Sequence, residues 1–293
     1  MLNSFSFDRN GNLMQLDDII AEKSRRKPSP SPTPQPLPPA DMTIRFRFSN
    51  PDFDPNTLEI TAGTWTKVQY AAGNDWDFTN ENSNWESLFS NKLTSTLGTI
   101  SIIDNGDLSG ITTLNRTFKQ CPALVYVKLT SLNNVTNMNG TFDGCNNLTT
   151  AHIYDTEKVN DLGGTFNACS SLSDVILPTT GEHANFAGAF KFCTSLASYA
   201  KVCLDNGDEF SAMFYGCSSL KDISVFQISP HISAAAMFCE CVNVETGMYD
   251  LYVAMNNSGA PFQGPPFTRC GINTDSGQAD RAKIPVMWGG DMQ

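Results

Sequence analysis

Gly140-Thr141-Phe142-Asp143-Gly144-Cys145-Asn146-Asn147-Leu148 contains the phrase on which the fold turns. Its Phe-x-x-Cys core returns six times, at Phe118/Cys121, Phe142/Cys145, Phe166/Cys169, Phe190/Cys193, Phe214/Cys217 and Phe238/Cys241, each copy 24 residues after the last. A fixed period of roughly 20–50 residues marks a solenoid, in which short coils that cannot bury their apolar faces alone stack on one another. An apolar residue follows each Cys by three places (Leu124, Leu148, Leu172, Leu196, Leu220, Val244). Looser apolar places come next, at Val127/Leu129, Ala151/Ile153, Val175/Leu177, Tyr199 and Ile223/Val225.

Four residues before each Phe stands Leu114, Met138, Leu162, Phe186, Phe210 or Ala234. Four residues is about one helical turn, so each coil is expected to be a helical turn followed by a short strand. Two before the Phe the residue is small in Gly140, Gly164, Gly188, Ala212 and Ala236, as a close approach of neighbouring coils would require. Arg116 breaks that rule in the first copy, where a neighbour is expected to be missing on one side.

With these segments in register, residues of about 90 to 250 resemble the BspA-type class of leucine-rich repeats. The resemblance implies a non-enzymatic binding module displayed on a cell or particle surface, in bacteria of the Bacteroides group, some protists, and phages of such bacteria. The expected fold is an α/β solenoid, a leucine-rich-repeat stack of 24-residue coils with an N-terminal β-rich cap and a detached N-terminal anchor peptide.

The 293 residues are expected to divide into an anchor peptide (1–27), a Pro-rich linker (28–41), a β-rich N-terminal cap (42–90) and the solenoid with its C-terminal cap (91–293). In the first segment Ser4-Phe5-Ser6-Phe7 alternates like a strand, Asn10-Gly11 marks a turn, and Leu13, Leu16, Ile19 and Ile20 share one helix face. That is too little to hold a core and enough to dock, so Phe5, Phe7, Leu13, Leu16, Ile19 and Ile20 are the candidate docking residues toward a capsid or other virion protein. Seven prolines between Pro28 and Pro39 then enforce an extended rod, roughly 37 Å long. Ile44 to Phe48, Leu58 to Thr61 and Trp65 to Tyr70 are expected strands, and Leu97, Ile100 and Ile103 sit 24 residues before Cys121, Leu124 and Val127, placing a degenerate first coil near residue 90. At the far end Phe267 and Cys270 restore the phrase after 29 residues, with Ile284 to Trp288 as a last strand whose Trp covers the end.

Net charge is −11, and residues 1–40 carry five basic and four acidic side chains, leaving −12 on the rest. Phosphate contacts need clustered Lys and Arg, so nucleic acid is excluded as a partner and a host surface protein or glycan is expected on the solenoid. The sequence holds no run of about 18 apolar residues, so no membrane span is expected. Residues 1–12 show neither a basic region followed by an apolar stretch nor a lipobox-like Cys, so no export signal is expected. A displayed repeat made in the host cytoplasm fits a virion component, a head fibre or capsid decoration, and a homo-oligomer; a bacterial cell-surface adhesin is the alternative.

Six of the nine cysteines share one coil position. Neighbours in such a ladder lie about 4.8 Å apart with parallel side chains, which suits disulfide geometry poorly, so reduced, buried thiols are expected. Cys239-Glu240-Cys241 lacks zinc spacing. His183 and His231 are two periods apart, about 10 Å along the stack, too far to share a metal. Asp104 to Asp107 and Asp205 to Asp208 fit turns better than calcium loops. No catalytic motif occurs and no metal or cofactor is expected.

Overall fold

Between Leu114 and Gln120 the backbone N–H groups alternate between two kinds of acceptor. Those of Leu114, Arg116, Phe118 and Gln120 donate to carbonyls of Asn137, Asn139, Thr141 and Asp143 in the following coil, at 2.6–2.9 Å. Those of Thr117 and Lys119 fold back onto Leu114 and Arg116, at 3.0 and 3.1 Å. Met138, Gly140, Phe142 and Gly144 repeat the first set toward Asp161, Gly163, Thr165 and Asn167. An α-helical turn would send its N–H groups back along its own chain and leave none for a neighbour. The expected helical turn is therefore corrected to a run of tight turns that doubles as a ladder between coils.

The computed structural model describes residues 42–60, 63–69, 74–104, 106–224, 233–258 and 263–293. The anchor residues Phe5, Phe7, Leu13, Leu16, Ile19 and Ile20, the Pro-rich linker and His231 lie outside the described residues.

Making alternate N–H groups point outward requires a left-handed residue two places before and two after each Phe. Gly140, Gly144, Gly164 and Gly188 supply it with φ of 58–77°, and Arg116, Gln120, Ala168, Ala212 and Ala236 adopt it at 53–57° despite their side chains. A Cβ placed on Gly164 or Gly188 would meet nothing nearer than 3.9 Å. Backbone conformation, rather than the expected close approach of coils, explains the small residues. Arg116 is no exception caused by a missing neighbour, since Ser87 and Phe89 donate to Asn115 and Thr117 from a coil that precedes it.

A sheet of seven strands runs in the order β2-β3-β1-β4-β5-β6-β7. Here β1 is Met42–Phe48, β2 Thr66–Gln69, β3 Asp75–Asn80, β4 Ile100–Asp104, β5 Leu124–Leu129, β6 Thr150–Ile153 and β7 Asp174–Ile176. The first three pair antiparallel, β1 meets β4 antiparallel, and β4 to β7 are the parallel strands of successive coils. Strand β3 went unread in the sequence, and Leu58 to Ile60 form no strand. A register shift in β4 sets Ile102, not Ile103, opposite Val127, and Ile102 is the one fully buried.

After β7 the 24-residue path continues with bridges in place of a continuous ladder, at Leu177 to Val202 and Asp222 to Thr246. The sequence there reads Leu196-Ala197-Ser198-Tyr199-Ala200, which lacks the β-branched alternation a strand needs. A second pair of short parallel strands, β8 (Ala184–Asn185) and β9 (Gly207–Glu209), forms on another side of the coils. The described chain is thus mostly sheet and turn, correcting the α/β expectation: helices α1 (Met248–Asn257) and α2 (Asp275–Arg281) come only in the last coils.

All six predicted Phe and all six ladder Cys are buried. The Phe rings stack almost parallel, with centroids 5.3–5.6 Å apart from Phe89 through Phe118, Phe142, Phe166, Phe190 and Phe214 to Phe238. Phe267 continues the stack at 6.3 Å. Burial of each ring contributes about 1.5–3 kcal/mol, and a stacked neighbour adds about 0.5–1.5 kcal/mol. At the C-terminal end Val286–Trp288 is a 3-10 turn instead of the expected strand. Trp288 does pack inward, edge-on to Tyr252 at 5.4 Å.

Candidate functional site

The ladder leaves two long faces, and their charges differ in how they are satisfied. On the sheet, Tyr126, His152 and Asp174 occupy outward positions of β5, β6 and β7. Asp174 Oδ2 lies 2.8 Å from His152 Nε2, Lys201 Nζ donates to Asp174 Oδ1 at 2.9 Å, and the Tyr126 ring meets the imidazole edge-on. The hydrogen bonds from Lys201 and then His152 hold the Asp174 carboxyl below its ordinary value. This cluster is closed on itself.

The turn face is different. A groove of about 250 Å³ runs across the coils, with Gly140, Gly164 and Gly188 along its floor and Lys119, Asp143, Asn167 and Lys191 along one wall. Arg116 stands at one end and Phe192 at the other. Wall residues each follow a core Phe by one place, so the buried ring beneath fixes their spacing. Lys119 pairs with Asp143 at 2.9 Å, and Asn167 Nδ2 donates to the same carboxylate at 2.8 Å. Arg116 and Lys191 make no ion pair among the described residues.

Lys191 Nζ instead sits 5.2 Å from the centroids of both Phe192 and Tyr215. Phe192 is 43% exposed, with its edge against Tyr215. Gly216 makes room for that ring, since a Cβ there would come within 2.7 Å of Phe192 Cδ1. None of Arg116, Lys191 or Phe192 was singled out from the sequence as functional. One signal existed: two places after the core Phe, sister coils carry Gly144 and Gly216 where this coil carries Phe192.

A larger hollow, about 640 Å³, is lined by Gly63, Thr64, Thr66, Thr79, Asn80 and neighbouring residues beside β2 and β3. Elsewhere the residues weighed for metal binding have local roles. His183 Nδ1 lies 2.6 Å from Asp208 Oδ2, Asp107 Oδ1 accepts from the Ser109 N–H, and Cys239 Sγ donates to the Pro265 carbonyl. All nine cysteines are free thiols. Among the described residues no helix is long and apolar enough to cross a membrane.

No curated protein matches the chain. A family profile described as "Mycoplasma protein of unknown function, DUF285" matches residues 83–199 and, in an overlapping second placement, 112–250. Both placements fall on the stacked turns, which accords with the BspA-type resemblance of the repeat phrase. Since together they span more than half of the 293 residues, the chain belongs to the DUF285 family.

Proposed function

We propose that this surface- or binding-type repeat protein is a non-enzymatic virion component, a head fibre or capsid decoration, docked by residues 1–27 and displaying its solenoid to a host surface protein or glycan. The order of segments in the sequence supports this reading. An apolar peptide precedes a proline rod, and the rod precedes the repeats. A peptide with Phe5, Phe7, Leu16, Ile19 and Ile20 gains about 1.5–3 kcal/mol per side chain on burial, and the seven prolines that follow it in the sequence favour an extended spacer.

The family description, which names a bacterial genus, favours the second reading, a bacterial cell-surface adhesin. Mass spectrometry of purified particles and of surface-shaved cells separates the two. Recovery in particles, together with loss of capsid co-sedimentation for a chain starting at Asp41, supports the virion reading. Recovery from the cell surface alone overturns it.

A further inference from the structure

The turn-face groove is a ligand site that the stack itself builds, and its chemistry selects a partner. We propose that it binds a linear acidic glycan, with Arg116 and Lys191 on carboxylates of the saccharide and Phe192 against a sugar face. This rests on the reading of the chain as a displayed binding protein.

Three features carry the inference. First, the groove crosses coils spaced by stacked rings 5.3–5.5 Å apart from Phe118 to Phe190, close to the length of one pyranose in an extended chain. A linear saccharide thus advances by about one residue per coil along the glycine floor between the two ends. The glycine floor is open, with no atom within 3.8 Å of a Cβ built on Gly164 or Gly188. Second, Asp143 is neutralised by Lys119 and capped by Asn167, so the charges left over at the two ends are both positive. The chain as a whole is at −11, which would repel an anion at long range. At physiological salt that field decays over about 8 Å, and at contact distance the two unpaired cations outnumber the one carboxylate without a cation, Asp161 beside Gly163, whose charge is capped by the Asn139 and Asn185 amides. Third, the exposed Phe192 ring lies beside Lys191 and Tyr215, so an apolar face and a cation are presented together. A sugar acid offers the complementary pair, a C–H face and a carboxylate. Asn139, whose Nδ2 is held by Asp161, adds an amide oxygen to the groove lining as an acceptor for a hydroxyl group.

The test uses the full-length protein and calorimetric titration with tetragalacturonate, its neutral methyl ester, and a polyglutamate peptide. Arg116 and Phe192 have φ of 53° and 60°, so Arg116→Gly and Phe192→Gly remove the side chains while easing the backbone. The fold survives both changes, which thermal melting verifies. The expected result is binding of the acid, at least tenfold weaker binding of the ester, and a further loss of tenfold or more in each variant. Raising the salt weakens the acid selectively. Failure of the acid to bind at millimolar concentration, equal binding of the ester, tighter binding of polyglutamate, or unchanged affinity in both variants each overturns the proposal. None of these outcomes bears on particle association, which is measured through residues 1–27.

Discussion

The thiol of Cys169 donates to the carbonyl oxygen of Phe142, 3.1 Å away and 27 residues earlier in the chain. The same bond joins Cys121 to Phe89 and, at 27 residues, Cys145 to Phe118, Cys193 to Phe166, Cys217 to Phe190 and Cys241 to Phe214, all at 3.0–3.1 Å. Each Phe carbonyl from Phe142 to Phe214 also accepts the N–H of the Cys in its own coil. The position therefore asks for a small apolar side chain with a weak donor, and cysteine is the residue that offers both.

Replacing Cys169 by Ala deletes the sulfur but leaves Phe142 O bonded to the Cys145 N–H. No buried carbonyl is orphaned, so the loss is confined to a small cavity and one weak bond, about 1–2 kcal/mol. Cys169→Asp, which puts a carboxylate among stacked rings, unfolds the stack around it. Urea denaturation measures both, and equal stability of Cys169→Ala and the parent would show that the thiol contacts contribute nothing.

Thiol reactivity follows the same geometry. Burial pushes Cys121 up to about 11 and Cys241 up to about 12, and raises Cys145, Cys169, Cys193, Cys217 and Cys270 as well. In the native protein a thiol reagent near neutral pH should modify the partly exposed Cys203 first. The seven buried thiols named above should react only at the rate of unfolding, and all nine in denaturant. Rapid modification of Cys169 in the native state contradicts the buried ladder.

How much of this the sequence revealed depends on the kind of residue. The Phe and Cys columns were legible because side chains that face a common core must repeat with the coil. The turn geometry was not, because apolar residues four apart fit a helix and this alternating turn equally well. The glycines at 140, 164 and 188, with those at 144 and 216, hint at the left-handed backbone, and Arg116 and Ala212 blur the hint. The later strands were lost where Leu196 to Ala200 drops the alternation. The groove was illegible for another reason: its cations stand out only once Asp143 is seen to be paired.

Two glycines separate backbone strain from crowding. Gly164 has φ of 59° with open space around it, so Gly164→Ala costs about 1 kcal/mol from the left-handed conformation alone. Gly289 has φ of 91°, and a Cβ there would collide with the backbone of Phe267 and Thr268. Gly289→Ala should therefore cost well over 2 kcal/mol, since the colliding atoms are main chain and cannot rotate away. Similar losses in the two variants, read from denaturation midpoints, would refute the distinction.

Acid should destabilise the stack, and the sign follows from four carboxylates. Asp75 is held below its ordinary value by hydrogen bonds from Arg47, Asp107 by the Ser109 hydroxyl and N–H, Asp174 by Lys201 and His152, and Asp222 by the Ser224 hydroxyl and N–H. A carboxyl whose folded value lies below the unfolded one binds fewer protons when folded. Its contribution is complete above the unfolded value of about 3.9 and is lost as pH falls through the folded value. Self-repulsion of the −11 chain acts in the opposite sense, weakening as pH drops toward the isoelectric point of about 4.6. The melting temperature should hold or rise slightly from about pH 8 to 5, then fall below about pH 4. In Asp107→Asn the drop below about pH 4 should shrink, because the amide oxygen still accepts from Ser109 without titrating. This variant also discriminates between causes. Asp107 is capped by a hydroxyl and an N–H, not by a cation, so its share of the acid loss should persist in high salt, while the shares of Asp75 and Asp174 are screened. A melting temperature unchanged between about pH 5 and 3, or a loss wholly abolished by salt, refutes this assignment.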